Sequence, residues 1–279
     1  MRCFFHMMAC IILGIDRQQG NIKLWDAFDG KEIRTFKHGD WVSSASISMD
    51  NRYLLSVGDD DVKIWMVNDG CEYRTFKGGY EEAMLSPNNF NVLMGNRNLF
   101  ALHRVDNKEK LRVFPVTEPN RSNKRRVDTI AFSPDGCYAL AGQNYGTLRL
   151  WEMDSGKELG VLRPKRYCSV HTVVFSFNGN YALSSHSPDV ILWDIKNLQE
   201  LQIFRGHSDL VRAVAFSKDG NYILSGGDDK TLRLWTVKNG QELKIFTDDS
   251  DILAVAFSQD GRYVISASRD NTIRRWPVK

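Results

Sequence analysis

Two segments of this 279-residue chain carry the residue types best suited to binding anions. Four cations lie within residues 115–127, and three more lie beside a tyrosine within residues 163–169. These residues are Arg121, Lys124, Arg125 and Arg126 in the first segment and Arg163, Lys165, Arg166 and Tyr167 in the second. A cluster of guanidinium groups favours bidentate recognition of phosphate or carboxylate. The pattern therefore predicts a binding site for an acidic or phosphorylated segment, with a merely solvated charged surface as the alternative.

Catalytic chemistry has weaker support. His207 and Asp229 are residue types that serve as general acid or base. The sequence contains no Walker loop, nucleophile elbow, HExxH motif or paired carboxylates with a surrounding site. Its five cysteines have no CxxC or CxxH spacing, which favours small buried residues of a reducing compartment over disulfides or metal ligands. We therefore expect a non-catalytic cytoplasmic protein without a metal or other cofactor.

Tryptophan recurs along the chain at a nearly constant interval. Trp25, Trp65, Trp151, Trp193, Trp235 and Trp276 are separated by 40, 86, 42, 42 and 41 residues. The long interval holds a further copy, in which His103 occupies the tryptophan position. Seven copies of a unit of about 40 residues predict an all-β, seven-bladed β-propeller with four antiparallel strands in each blade.

The copies use the whole chain, so we expect a single domain over residues 1–279. Their approximate bounds are residues 1–36, 37–76, 77–114, 115–162, 163–204, 205–246 and 247–279. The apolar first fifteen residues resemble a signal peptide, but Ile12 and Leu13 are in register with the repeat and favour strands of blade one. The last copy ends three residues after Trp276. We therefore expect 27 strands and a three-stranded last blade with open closure, and the gap suggests a chain truncated from a longer protein as one alternative.

The phrases around the tryptophans resemble those of the WD-repeat β-propeller family over essentially the whole chain. The family's dipeptide survives as Trp25-Asp26 and Trp193-Asp194. The resemblance implies a structural brace of histidine, serine, aspartate and tryptophan that holds each blade together. In copy six its members are His207, Ser225, Asp229 and Trp235, and in copy two they are His38, Ser56, Asp60 and Trp65. Copies three to five have lost most of the brace, and His103 is expected to be a substituted core residue.

The same resemblance places the loops before each first strand and those between second and third strands on one upper face. Both cationic segments then lie on neighbouring blades, four and five, with His171 and His186 nearby. Trp41 occupies a position that often contacts partners in this family, and Leu210 and Arg212 hold the matching positions of blade six.

These observations predict a protein-interaction scaffold that binds an acidic or phosphorylated peptide segment near blades four and five. The partners expected are other proteins, with no small-molecule substrate, and the propeller is expected to be a monomer within a larger complex. One alternative is phosphoinositide or nucleic-acid binding through the same cations, although a net charge of +3 is low for a general polyanion binder. A second alternative is a propeller module of a larger signalling protein.

Overall fold

The computed structural model describes residues 2–5, 11–16, 19–26, 29–39, 41–96, 99–115, 127–143, 146–165 and 169–278. The described residues form 27 strands, arranged as seven consecutive antiparallel sheets. The chain divides into two compact units, residues 1–130 and 131–279, with the boundary inside one strand.

Three four-stranded sheets make up blades one to three, and each is a simple meander in chain order. Their strands are β1 (Arg2–Phe5), β2 (Ile11–Asp16), β3 (Asn21–Asp26) and β4 (Glu32–Lys37); β5 (Val42–Ile47), β6 (Tyr53–Gly58), β7 (Asp61–Met66) and β8 (Glu72–Lys77); and β9 (Glu82–Leu85), β10 (Asn91–Gly95), β11 (Leu99–Arg104) and β12 (Lys110–Pro115). Strands β1 and β2 lie in the segment that resembles a signal peptide, and they pair as the first two strands of blade one.

Blades four to six are four-stranded meanders, and blade seven has three strands. Their strands are β13 (Val127–Phe132), β14 (Tyr138–Gln143), β15 (Leu148–Glu152) and β16 (Glu158–Leu162); β17 (Val170–Phe175), β18 (Tyr181–His186), β19 (Asp189–Asp194) and β20 (Gln199–Phe204); β21 (Val211–Phe216), β22 (Tyr222–Gly227), β23 (Thr231–Thr236) and β24 (Glu242–Thr247); and β25 (Ile252–Phe257), β26 (Tyr263–Ser268) and β27 (Ile273–Pro277). The predicted seven blades and the three-stranded last blade are confirmed.

A recurring turn connects the first and second strands of the blades. In blade six, the Ser217 hydroxyl donates to Asp219 at 2.5 Å and accepts the backbone N–H of Tyr222 at 2.9 Å. Gly220 completes this turn at a φ of 72°, in the left-handed region that glycine adopts without strain. The same serine-to-Asp or serine-to-Asn hydrogen bond occurs in blades two to five and seven. A serine followed two residues later by Asp or Asn therefore fixes these hairpins locally.

Neighbouring blades pack through aromatic side chains of the outer strands. In the first unit, Phe36 of β4 meets Trp65 of blade two edge to face, with ring centroids 5.9 Å apart. In the second unit, Phe204 of β20 meets Trp235 of blade six in the same way at 5.8 Å. The apolar residue eleven positions after Trp25, Trp193 and Trp235 thus packs its blade against the tryptophan of the next one.

Blade three uses its substituted histidine in the same packing position. His103 is buried, and its ring lies 5.7 Å from that of Phe76 in an edge-to-face arrangement. Burial lowers the pKa of His103 below its usual value. A neutral imidazole therefore replaces the tryptophan as a core residue, as expected.

The cysteines do not all fit the prediction of small buried residues. Cys71 and Cys137 are both free thiols and both exposed. Each lies in a turn between strands, where the side chain has no blade to pack against. The expectation of burial is therefore wrong for these two residues.

Candidate functional site

The upper ends of blades five to seven are shaped by bulges in the inner strand. The ladder between first and second strands shifts register between Val170 and Val173, between Val211 and Ala213, and between Ile252 and Ala254. A bulge inserts extra backbone into one strand and redirects its side chains. In blade six the residue so displaced is Arg212, which the sequence placed at a contact position.

Arg212 is engaged by an aspartate of its own blade. Its guanidinium donates two hydrogen bonds to the Asp228 carboxylate, at 2.7 and 2.5 Å. These bonds raise the pKa of Arg212 above its usual value. Leu210, two residues earlier, is half-buried. The charge of Arg212 is therefore balanced within blade six before any ligand arrives.

Blade seven has a comparable ion pair with the two charges exchanged, because Arg269 holds the position of Asp228 and Asp251 that of Leu210. Arg269 lies 2.6 Å from Asp251, and its side chain is 57% exposed. Asp249, in the loop entering this blade, is 94% exposed. The upper loops of blades six and seven therefore combine internally paired arginines with an exposed carboxylate.

Blade five differs from these two in the exposure of its cations. Arg163 and Lys165 are both exposed, and the Lys165 ammonium forms an ion pair with Glu200 at 3.6 Å. The Lys165 side chain is 84% exposed. His171, on β17, is also exposed. These three residues project from the described part of the blade-five upper end.

His186 does not join this exposed group, contrary to the expectation from sequence. It is buried, and burial lowers its pKa to about 4. Its Nε2 lies 2.7 Å from the Ser184 hydroxyl, which also accepts the Trp193 indole N–H at 2.7 Å. His186 is therefore a neutral structural residue at physiological pH.

Six of the sequence-predicted binding residues lie outside the described residues. They are Arg121, Lys124, Arg125, Arg126, Arg166 and Tyr167. Trp41 lies in the first compact unit, directly before β5, and its side chain is 41% exposed. The structure thus describes part of the predicted basic surface, and the rest stays a prediction.

The expected brace is present in blade six. His207 contacts the Asp229 carboxylate at 2.8 Å and the Ser225 hydroxyl at 2.7 Å. The same hydroxyl accepts the Trp235 indole N–H at 2.8 Å. Burial lowers the pKa of His207, against the opposing effect of Asp229. This His–Asp pair holds a tryptophan in place inside the blade.

Blade two has the same brace with a different aspartate. His38 contacts Ser56 at 2.8 Å and Asp61 at 2.7 Å, and Trp65 donates to Ser56 at 2.8 Å. The choice of Asp60 is therefore wrong, since Asp60 is exposed and Asp61 is buried. The turn of blade two is one residue shorter, so the carboxylate that faces inward belongs to the first residue of β7.

Blade five has a brace that the sequence analysis missed, and blade seven has Asp248 at the histidine position, as its sequence indicates. In blade five, His186 comes from the second strand instead of the preceding loop. In blade seven, Asp248 replaces the histidine, accepting hydrogen bonds from Ser268 at 2.7 Å and from Arg274 at 2.5 Å. The available signals were a histidine two positions after the brace serine and an arginine two positions before Trp276.

No group of three or more potential metal ligands occurs among the described residues. The part of the chain that the structure describes contains no helix long and apolar enough to cross a membrane.

The chain resembles several proteins of known family. It is 36% identical to the small ribosomal subunit protein RACK1 of Caenorhabditis elegans over 118 residues, which are 39% of this chain and 36% of that protein. It is 28% identical to RACK1y of Oryza sativa over 115 residues, covering 39% and 34% of the two chains. The matches thus span about a third of the length of these curated relatives. The serine-threonine kinase receptor-associated protein of Gallus gallus matches more of the chain, 76%, at 22% identity, over 59% of that protein.

The fold and the repeat family are supported by two further comparisons. The β-propeller domain of Cps50 (Swd1) from Myceliophteria thermophila superposes with a TM-score of 0.86, covering 100% of this chain and 96% of that chain at 17% identity. The family model of the WD domain, G-beta repeat, matches residues 30–66, 115–152, 198–236 and 240–277, more than half of the sequence. The chain therefore belongs to the WD40 repeat family and has the seven-bladed β-propeller fold.

Proposed function

We propose that this protein is a non-catalytic interaction scaffold that binds an acidic or phosphorylated segment of a partner protein on the upper loops of blades four and five. The relatives support the scaffold role, because their names place them in assemblies, as with the small ribosomal subunit protein RACK1 and the guanine nucleotide-binding protein subunit beta of Zea mays. A rigid propeller that displays loops suits such a role.

We choose this surface because the cations of blades five and six differ in how they are paired. In blade six, Arg212 is held by two hydrogen bonds from its own blade, whereas in blade five Lys165 makes one longer ion pair with Glu200, at 3.6 Å, and its side chain is 84% exposed. A bidentate pair must be broken before its cation can bind a ligand, while a single ion pair of an exposed lysine contributes little and is exchanged at low cost. The four cations within residues 121–126 have the same positive charge as Lys165 and belong to the neighbouring sequence repeat.

The test compares two variants that remove the same number of charges. The first replaces Arg121, Lys124, Arg125 and Arg126 by serine. The control replaces four exposed cations of the second unit that lie in turns away from the upper loops: Lys196, Lys218, Lys238 and Arg262. We expect the first variant to lose capture of acidic and phosphorylated peptides on an array, and the control to keep it.

A salt titration on heparin and on phosphoinositide vesicles addresses the alternative ligands. Nonspecific polyanion binding falls steeply as salt rises, because phosphate contacts release counterions. Equal peptide capture by both variants, or binding to heparin and vesicles without any peptide preference, would reject the proposed function.

A further inference from the structure

A groove of about 400 Å³ lies between blades two and three, within the first compact unit. One wall is the outer strand β8, at residues 72–75, and the other is the turn that joins β11 to β12, at residues 106–108. The side chains that line the groove are polar or charged, apart from the ring of Tyr73. Its volume falls in the range of small-ligand sites.

Arg74 is held in a fixed orientation beside this groove. Its Nε and Nη2 donate to the backbone carbonyl of Asp106, at 3.2 and 2.8 Å, and its Nη1 donates to the carbonyl of Tyr73 at 2.9 Å. Its guanidinium also lies 4.4 Å from the centroid of the Tyr73 ring. One N–H on each terminal nitrogen has no hydrogen-bond partner among the described residues. Two such N–H groups of one guanidinium suit an oxyanion.

Lys108 has a backbone conformation that glycine usually supplies. Its φ is 61°, in the left-handed region that costs free energy for a residue with a Cβ atom. Residues held in this way are concentrated at functional sites. The position five residues after the tryptophan, or after His103 in blade three, holds a glycine at positive φ in four other blades and a leucine in blade five: Gly30, Gly70, Gly156, Gly240 and Leu198. Among these turns, blade three therefore places a cation where the others have none.

The groove carries two cations without a carboxylate partner. Neither Arg74 nor Lys108 forms an ion pair with any described residue. The two carboxylates that line the groove are already paired with cations outside it: Glu72 with Lys63 at 3.6 Å and Asp106 with Arg104 at 3.1 Å. The charges of Arg74 and Lys108 are therefore available to a ligand.

We propose that this groove binds a small organic phosphate monoester, whose phosphate contacts Arg74 and Lys108. A phosphate monoester carries a charge of about −1.5 to −2 at pH 7, which matches two uncompensated cations better than a single carboxylate does. The guanidinium of Arg74 suits two phosphate oxygens, and the ammonium of Lys108 binds as a point charge. The rest of the groove, with the Tyr73 ring, accommodates the organic part. This site is independent of the upper loops of blades four and five.

The corresponding position between blades one and two shows what the arginine does for the fold. Arg34 there donates to the backbone carbonyls of Asn68 and Asp69, both at 2.9 Å. The turn has Gly70 where blade three has Lys108. The arginine therefore holds the turn in both places, and the lysine adds the second cation. Lys108→Gly removes that cation and leaves a turn that the protein already uses.

Phenyl phosphate is the probe, and isothermal titration calorimetry on the full chain measures its binding. We expect saturable binding that Lys108→Gly weakens by at least about tenfold, because a charge-assisted contact is lost. Lys230→Gly is the matched control, since Lys230 is also exposed, has a φ of 62° and lies in blade six. Both variants should remain folded, because glycine adopts this φ without strain. Equal affinity of the two variants for phenyl phosphate would overturn the proposal.

Benzoate and inorganic phosphate test the class of ligand. Benzoate has a single negative charge, and inorganic phosphate has no organic group to lie against Tyr73. Each should bind at least about fivefold more weakly than phenyl phosphate. If either bound as tightly as phenyl phosphate, the assignment to an organic phosphate monoester would be wrong.

Nuclear magnetic resonance on the unmodified protein locates the site without a variant. Phenyl phosphate should shift the amide signals of residues 72–75 and 106–108, and shifts confined to other residues would reject this groove. Vesicles that contain phosphatidylinositol 4-phosphate separate a soluble ligand from a lipid headgroup. We expect no cosedimentation with them, and cosedimentation that Lys108→Gly abolishes would assign the groove to a headgroup. A phosphoserine peptide that binds through Lys108 while phenyl phosphate does not bind would exclude a small-molecule ligand.

Discussion

Blades five and six hold their tryptophans with a buried histidine, whereas blade seven uses different residues. All three hold a tryptophan by a hydrogen bond from its indole to a serine hydroxyl of the second strand, at 2.7, 2.8 and 2.9 Å. A buried histidine contacts the same serine in blades five and six. Blade seven instead buries Asp248, which pairs with Arg274.

The comparison separates properties that one hairpin determines from properties that depend on neighbouring strands. The indole hydrogen bond forms in all three blades because the tryptophan and the serine face each other across one hairpin. The burial of the tryptophan, in contrast, depends on the strands beside the hairpin. Trp193 and Trp235 are 1% and 2% exposed, whereas Trp276, on the edge strand β27, is half-buried. The fourth strand therefore decides how much of the tryptophan's apolar surface contributes to stability.

Removing the tryptophans tests this comparison with the largest expected effect. Trp235→Ala should lower the free energy of unfolding by about 3–5 kcal/mol, because it leaves a cavity in a fully packed blade. Trp276→Ala should cost clearly less, since a half-buried ring loses less contact. Urea denaturation of both variants measures the difference, and equal losses would show that the missing strand does not matter.

The buried histidine of the blade-five brace predicts a pH dependence of stability. The folded-state pKa of His186 is about 4, below the unfolded value near 6.5, so the unfolded chain binds more protons between these values. The contribution of His186 to the free energy of unfolding is therefore fully present above pH 6.5. It decreases by about 2–4 kcal/mol as pH falls to 4. His186→Gln should reduce that decrease in denaturation curves from pH 7 to 4. His171→Gln, at an exposed histidine of the same blade, is the control; an identical slope in both variants would contradict the assignment.

The smallest of the three effects concerns the blade-six brace. His207→Ala should cost about 1–3 kcal/mol of unfolding free energy, because it removes the hydrogen bonds of the imidazole to the buried Ser225 hydroxyl and the Asp229 carboxylate. Peptide capture by the upper loops should be unchanged. Loss of capture at an unaltered melting temperature would mean that His207 contacts a ligand and is not a brace.

The sequence predicted the braces only where they follow the family spacing. His207, Ser225 and Asp229 occupy the family positions and form the expected contacts. Asp60 was chosen over Asp61 because spacing does not reveal which carboxylate of a short turn faces inward. His186 looked like an exposed cation, since its burial depends on the packing around β18. Sequence spacing gives the order of residues along a strand, and burial arises only when sheets pack.

The sequence by itself determined the repeat, the number of blades, the hairpin turns and the three-stranded last blade. Each of these depends on contacts within about 40 residues, where spacing and turn chemistry decide the pairing. Only the tertiary structure decided which cations are already paired, as with Arg212 and Asp228, and which apolar residue is left uncovered, as with Ile273. Charge pairing and burial depend on side chains that come together from separate loops and strands, and their distances are fixed only by the folded backbone.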